Sequence, residues 1–554
     1  MEAVWAGLSG EYRNGSGKGA GLSGECRDWG KMKKSLYIAF LIMGVALLSA
    51  LWTGKEIDSG KENITITEEI LSGDPQAAEG VVLQIASDWE RHLFWDTSYA
   101  IGSGRKAESK FHFSAKQVDW NWLTYRTADM DFQQGAGFGS AITLSGWNIE
   151  PENFPFPDIT CEVAEHAGTG EKYSETVSIG EYYPYYSVEF RLEGDSVVYE
   201  GDYEEEMDYL TDLFHIPAAE DAVEITVEKD DSGNLVNISG QLRAEGGARM
   251  ISDVSAFGDT GCYYAWCCED IDSGKQADRG ENSGIFYLPF QEEDGILHVN
   301  LMHMEKVCPL PEDVIPSGMY LEEDENRLYL AGREEKDYMF FVYEMEGTVP
   351  VLAQRIPLLR YDISQERYLS QSEVSAQPEL NTDSSAETEG RTEKISASMP
   401  QFRAMTREDG GMLFTWEDGW FAFAAEENGE YRLWCAGQFP GRQRQEAAWA
   451  QNPWEQGPFS RERQCLFDGE RLVLAAFESW ESLNVVVAVY REEREVFSAR
   501  YLYGGTLESD KGYGFVNGIE PLGNDYFTYS QERGREIYIQ DEKETKKPLS
   551  LKWK

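Results

Sequence analysis

The sequence predicts an all-β protein, β-propeller-like with about seven or eight blades, standing behind a single N-terminal transmembrane helix. Three observations carry this reading. One long apolar run, residues 36–52, follows Lys31, Lys33 and Lys34. Downstream, short runs of β-branched and aromatic residues recur between Gly, Asn and Asp turn signals. In the later half these runs repeat at just over fifty residues, at Trp420, Leu472 and Tyr526, and propeller blades take roughly 40 to 50. A β-sandwich followed by a smaller propeller is the alternative, because strands such as 222–228 and 235–240 carry no alignable repeat.

Taken in order, residues 1–34 read as a cytoplasmic tail. Its Gly/Ser text repeats Ala6-Gly-Leu-Ser-Gly-Glu-Tyr-Arg13 as Ala20-Gly-Leu-Ser-Gly-Glu-Cys-Arg27 and cannot bury a core. Met32-Lys-Lys-Ser begins like a bacterial export signal, so residues 1–31 read as a mis-called extension. Gly15-Ser-Gly-Lys-Gly19 falls short of a phosphate loop, with Tyr12 and Gly19 where Gly and Ser or Thr are needed.

Residues 35–53 form the predicted signal anchor. A helix crosses a bilayer with roughly 20 apolar residues, at least about 17, and positive charge stays on the cytoplasmic side. The bulk of the chain is therefore expected outside the cell. A cleaved signal peptide is the weaker reading, since a cut after Ala50 places Leu48 where a small residue is needed.

Residues 54–79 are polar and read as a stalk, and residues 80–554 as the extracytoplasmic β domain. In its later half Asn326-Arg-Leu-Tyr-Leu-Ala-Gly332, residues 337–344 and residues 348–355 form a strand triplet. The triplet recurs at 468–475, 483–490 and 495–500, with partial copies at 418–435 and 524–540. The one helix expected is residues 204–214, with Met207, Leu210, Leu213 and Phe214 on one face. Residues 369–400 are rich in Ser, Thr and Glu, cannot bury apolar surface and read as a disordered loop between blades, or as an interdomain linker.

Charge narrows the partners. The chain carries 99 Asp plus Glu against 49 Lys plus Arg, a formal net charge of −50. Such a surface repels nucleic acid and anionic polymers, so no nucleic acid partner is expected. Seven cysteines, Cys161, Cys262, Cys267, Cys268, Cys308, Cys435 and Cys465, follow the apolar run. They are sparse and set in apolar text, which suits buried free thiols better than a disulfide scaffold or a zinc site.

Chemical motifs are few. Asp270-Ile-Asp272 with Glu281 partly matches a twelve-residue calcium loop, making Ca2+ the one cofactor candidate, but Gly274 and Lys275 occupy positions that such a loop needs otherwise. A solvated turn explains these residues better. No HExxH is present, and His298 and His303 are expected on opposite faces of one strand. No GxSxG elbow is present either. Asp119 and Asp129, near Trp120 and Trp122, stand out among the carboxylates only by their aromatic neighbours.

Aromatic loops are more informative. Trp449-Ala-Gln-Asn-Pro-Trp454 lies in text without strand alternation, and Tyr182-Tyr-Pro-Tyr-Tyr186 forms a second cluster. Flat rings give contact area at low rotamer cost, so Trp449, Trp454, Tyr182 and Tyr185 are the candidate ligand residues. The expected function is a membrane-anchored extracytoplasmic module that binds a protein or glycan. The alternative is an extracytoplasmic glycan hydrolase using a carboxylate pair.

Overall fold

The structure is a computed structural model. It describes residues 25–60, 64–89, 92–104, 106–114, 120–122, 127–133, 141–147, 149–193, 196–216, 222–243, 249–270, 275–276, 282–322, 324–362, 367–369, 402–416, 419–440, 463–478, 483–505, 520–521, 537–539, 544–546 and 548–554. The chain divides into two units, Met1–Asn63 and Ile64–Lys554.

The first unit contains helix α1 (Glu25–Gly60). Its apolar side chains, from Leu36 to Trp52, are exposed. Among the described residues no helix is long and apolar enough to cross a membrane. The expected transmembrane helix is therefore not supported among the described residues.

The second unit is all-β, with many antiparallel sheets and few helices. Five sheets follow one another. Sheet I contains Arg249–Phe257, Gly261–Asp270, Gly284–Glu293 and Ile296–Val299, with Ser196–Tyr199 parallel to the last. Sheet II runs through Val314–Leu321, Arg327–Glu334, Asp337–Glu346, Val349–Asp362 and Arg367–Leu369. Sheet III is Phe402–Glu408, Gly411–Trp416, Trp420–Glu427 and Glu430–Gln438. Sheet IV takes Arg463–Phe467, Leu472–Phe477, Val485–Arg491 and Arg494–Gly505, and adds Ile64–Gly73 to its last strand. In sheet V the final strand Leu549–Trp553 pairs with Val81–Trp89, followed by Leu93–Ala100 and Glu108–Phe113.

Successive sheets bury their faces against each other, and strand alternation decides which side chain goes where. In Asp337–Glu346, Tyr338, Phe340 and Val342 pack with sheet III, while Met339, Phe341 and Tyr343 pack with sheet I. In Val485–Arg491, Val485, Val487 and Val489 face sheet V, and Val486, Ala488 and Tyr490 face sheet III. Both faces being buried explains why these strands read as continuous apolar runs rather than alternating ones. Tight hairpins join them: Asn428 (φ 55°) and Gly429 (φ 85°) both take the positive φ that a two-residue turn matching strand twist requires.

The first strands of sheets I, II and III lie side by side, and the first strand of sheet IV lies beside Leu549–Trp553. Five such sheets are described, against seven or eight blades expected, and among the described residues no sheet closes on itself. Residues 54–79, expected as a stalk, include Ile64–Gly73 of sheet IV.

Among the described residues of the earlier half, one sheet is covered by a helix rather than by a second sheet. There, Ala141–Ser145, Leu235–Arg243, Ala222–Lys229 and Lys172–Ser178 form one four-stranded sheet. Helix α2 (Pro157–His166) covers one face through Ile159, Val163 and Ala164. The sequence reading missed α2 and the short α3 (Ile179–Tyr182). Helix α4 (Tyr203–Phe214) is the expected one: Leu210 and Phe214 are buried, and Met207 and Leu213 pack beside them against sheet I. Asp202 caps it by accepting from the Glu204 and Glu205 amides. His303 lies in a helical turn, Leu301–His303, not on the strand of His298.

Candidate functional site

The most developed polar constellation lies between sheets II and III. Glu426 and Tyr431 are direct cross-strand partners, held opposite each other by the Asn428–Gly429 hairpin. Arg407 comes from the first strand of sheet III, Arg327 and Tyr329 from sheet II. Arg327 Nη1 donates to Glu426 Oε1 at 2.9 Å, and Arg407 Nη2 donates to Glu426 Oε2 at 2.6 Å. Arg407 Nη1 also donates to the Tyr431 hydroxyl, and its guanidinium stands 5.7 Å over the Tyr431 ring. Glu322 approaches Arg407 at 3.7 Å.

The hydroxyl protons have one consistent assignment. Tyr431 donates to Glu426 Oε2 at 3.2 Å, so the 3.1 Å contact between Tyr329 and Tyr431 is a donation by Tyr329. The Tyr431 amide in turn donates to Gln354 Oε1 of sheet II at 2.9 Å. Both Glu426 oxygens and the Tyr431 hydroxyl thus receive protons from the neighbouring sheet or their own.

Electrostatics fix the charge states. Burial pushes the Glu426 carboxyl up, but the Arg407 and Arg327 guanidiniums outweigh it and hold it below the usual carboxylate range. Burial, reinforced by Tyr329, drives the Tyr431 phenol far up. Burial opposes the charge on Arg407, yet the Glu426 carboxylate more than restores it. The Glu426 carboxylate and the Arg407 guanidinium thus hold each other charged, while the Tyr431 and Tyr329 phenols are pushed up and keep their protons. The site is thus a fixed-charge donor cluster rather than acid–base machinery, which would want a group poised near the working pH. A smaller junction links sheets I and II, where Arg333 donates to buried Glu269 and Ser252 Oγ donates to Glu269 Oε2 at 3.2 Å.

The candidates named from sequence lie elsewhere. Tyr182 donates to Glu162, whose carboxylate pushes the phenol up to about 12. The Tyr185 ring sits 3.6 Å from the His215 ring. Tyr186 is buried in the core beside sheet I. Trp449 and Trp454 lie outside the described residues, as do Asp272, Glu281 and Asp119. The backbone of Asp270 pairs with Arg249 and Lys275. Among the described residues no three His, Cys, Asp or Glu side chains converge as metal ligands. Sequence reasoning passed over Arg327, Arg407 and Glu426, because each stands beside other charged residues at a turn-proximal strand end and carries no distinguishing local signal.

No family model matches the chain. No curated protein matches it either. Among solved structures, a putative 6-phosphogluconolactonase from Bacteroides uniformis aligns at 9% identity over 76% of this chain and 95% of its own, with a TM-score of 0.26. The periplasmic gluconolactonase of Pseudomonas aeruginosa aligns at 9% identity over 76% and 99%, with a TM-score of 0.20. A Lactobacillus plantarum protein aligns at 10% identity over 52% of this chain, with a TM-score of 0.23; the chain spans 64% of that protein's length. Likeness at this level carries neither fold nor activity to this chain.

Proposed function

We propose that this protein is a β-propeller-like binding module displayed outside the cell and held at the membrane by α1. The observation that supports it most is the stacking of sheet I on II, II on III, III on IV and IV on V, with the first strands of sheets I, II and III side by side. That is the arrangement of blades about an axis. The last strand of the chain pairs within the sheet built from residues 81–113, which brings the two ends of the β unit together as blade closure requires. The polar cluster at Glu426 holds fixed charges at a junction of two sheets, which suits a rigid scaffold for recognition more than turnover.

Display at the membrane rests on the apolar run 36–52 and the lysines before it. Fractionation tests it. The full chain is expected in the carbonate-washed membrane pellet, and a chain starting at Ile64 in the soluble fraction; a full chain released by carbonate overturns the anchor. For the module itself, the full chain is incubated with cell-wall and plant polysaccharides while retention and released reducing ends are both measured. Retention without release supports a binding module, and released ends replace it with a hydrolase.

A further inference from the structure

The geometry points to a second surface, the face opposite α2 on the sheet that this helix packs against, as a docking face for a neutral polysaccharide. This rests on the binding-module reading and adds to it a ligand class and a location. Opposite the face filled by Val223, Ile225, Val227 and α2, the register lines up hydroxyl side chains across all four strands. Thr143 pairs with Ser239, Ser239 with Thr226, and Thr226 with Ser174. Ser174 Oγ and Thr226 Oγ1 are 2.7 Å apart. The next row runs Ser145, Asn237, Glu228 and Lys172, with Ser145 donating to Asn237 Oδ1 at 2.8 Å. On the other side lie Gln241, Glu224 and Thr176.

Thr143, Ser145, Ser174 and Thr176 are exposed, and Thr226 and Ser239 are half-exposed. Neighbouring strands stand ~4.8 Å apart and alternate residues ~6.8 Å apart, so the hydroxyls and amides form a flat grid of paired donors and acceptors. Such a grid matches a polymer that itself presents hydroxyls on a flat ribbon. Beyond the second row, Gly146 donates its amide to Val236, and the next residue, Trp147, is 94% exposed. Standing two residues beyond Ser145, its exposed ring would add the stacking area that the polar grid lacks.

Charge selects the polymer. The hydroxyl row carries none, and the three ionisable side chains around it, Lys172, Glu224 and Glu228, sum to −1, on a chain of net charge −50. A polyanion is repelled by both the face and the whole surface, whereas a neutral glycan loses no ion solvation on contact.

The test is retention of the full chain, in a detergent without a sugar headgroup, on microcrystalline cellulose, chitin and polygalacturonate. Retention on cellulose or chitin is expected, with little on polygalacturonate. Trp147→Ala and Ser174→Lys are each expected to weaken that retention about tenfold, with unchanged thermal unfolding, while Tyr203→Ala, an exposed aromatic on α4, leaves it as it was. Loss of retention on both neutral polymers by the unaltered chain overturns this inference along with its ligand class. Full retention of both variants overturns the face alone and leaves the binding module standing, and a preference for polygalacturonate overturns the charge argument.

Discussion

Glu426 receives the Arg327 guanidinium of the preceding sheet at 2.9 Å and, through its other oxygen, Arg407 of its own sheet at 2.6 Å. One carboxylate thereby ties sheet II to sheet III. Beside it, the Tyr329–Tyr431 contact and the Tyr431 amide on Gln354 Oε1 also cross the junction, and these polar links supply the directionality that the apolar packing around them lacks.

Replacing that carboxylate is therefore expected to cost stability in a pH-dependent way. Glu426→Gln leaves two guanidiniums facing a neutral amide and should cost about 1–3 kcal/mol at neutral pH, between the values for exposed and buried pairs. Because the folded-state carboxyl lies below its ordinary value, its contribution is complete above a pH of about 4.3 and is lost as pH falls through the folded value. Urea midpoints of the two proteins should thus converge as pH falls through the folded value. A gap that persists in acid would show that the amide disturbs packing instead.

The terminal strand gives a second test. Leu549 is fully buried between sheets IV and V, so Leu549→Ala should cost about 2–4 kcal/mol. The reading is a lowered midpoint with an unchanged slope in urea. An unchanged midpoint would mean that the last strand does not complete sheet V in solution.

Thiol chemistry should be selective. Cys262, Cys267, Cys268, Cys435 and Cys465 are buried, whereas Cys161 and Cys308 are partly exposed. Burial pushes the Cys262, Cys435 and Cys465 thiols far up and raises Cys161 and Cys308 as well. Peptide mapping after native alkylation should find label on Cys161 and Cys308, increasing with pH, and none on the other five until the chain is unfolded. Early label on Cys435 or Cys465 would contradict the packing of sheets III and IV.

Trp266 separates shape from hydrogen bonding. It is fully buried against Phe214 and Phe286, and its Nε1 has no hydrogen-bond partner among the described residues. Trp266→Phe removes an unpaired donor along with some volume and should cost about 1–2 kcal/mol, against about 3–5 for Trp266→Ala. Equal costs for the two would place a partner on that indole.

Much of the later half was legible in the sequence. Strands predicted at 337–344 and 495–500 fall within Asp337–Glu346 and Arg494–Gly505, and the one predicted at 483–490 overlaps Val485–Arg491 but starts two residues early, because strands buried on both faces write long β-branched and aromatic text. Helix α4 was legible through the spacing of Met207, Leu210 and Phe214. Helix α2 was not, because its start is masked by Phe154-Pro-Phe-Pro157 and its Ile159-Thr160 pair reads as strand.

The sequence by itself determined the all-β class, the Gly, Asn and Asp punctuation between strands, the buried character of most of the cysteines and the acidic composition. All four follow from local composition and period. Only the tertiary structure decided that Ile64–Gly73 joins sheet IV rather than a stalk, that Leu549–Trp553 pairs with Val81–Trp89, and that Glu426 meets Arg327 and Arg407. Those pairings join residues up to several hundred positions apart, and neither strand period nor residue type specifies a partner at such separation. It is set by which buried faces fit together once the sheets stack.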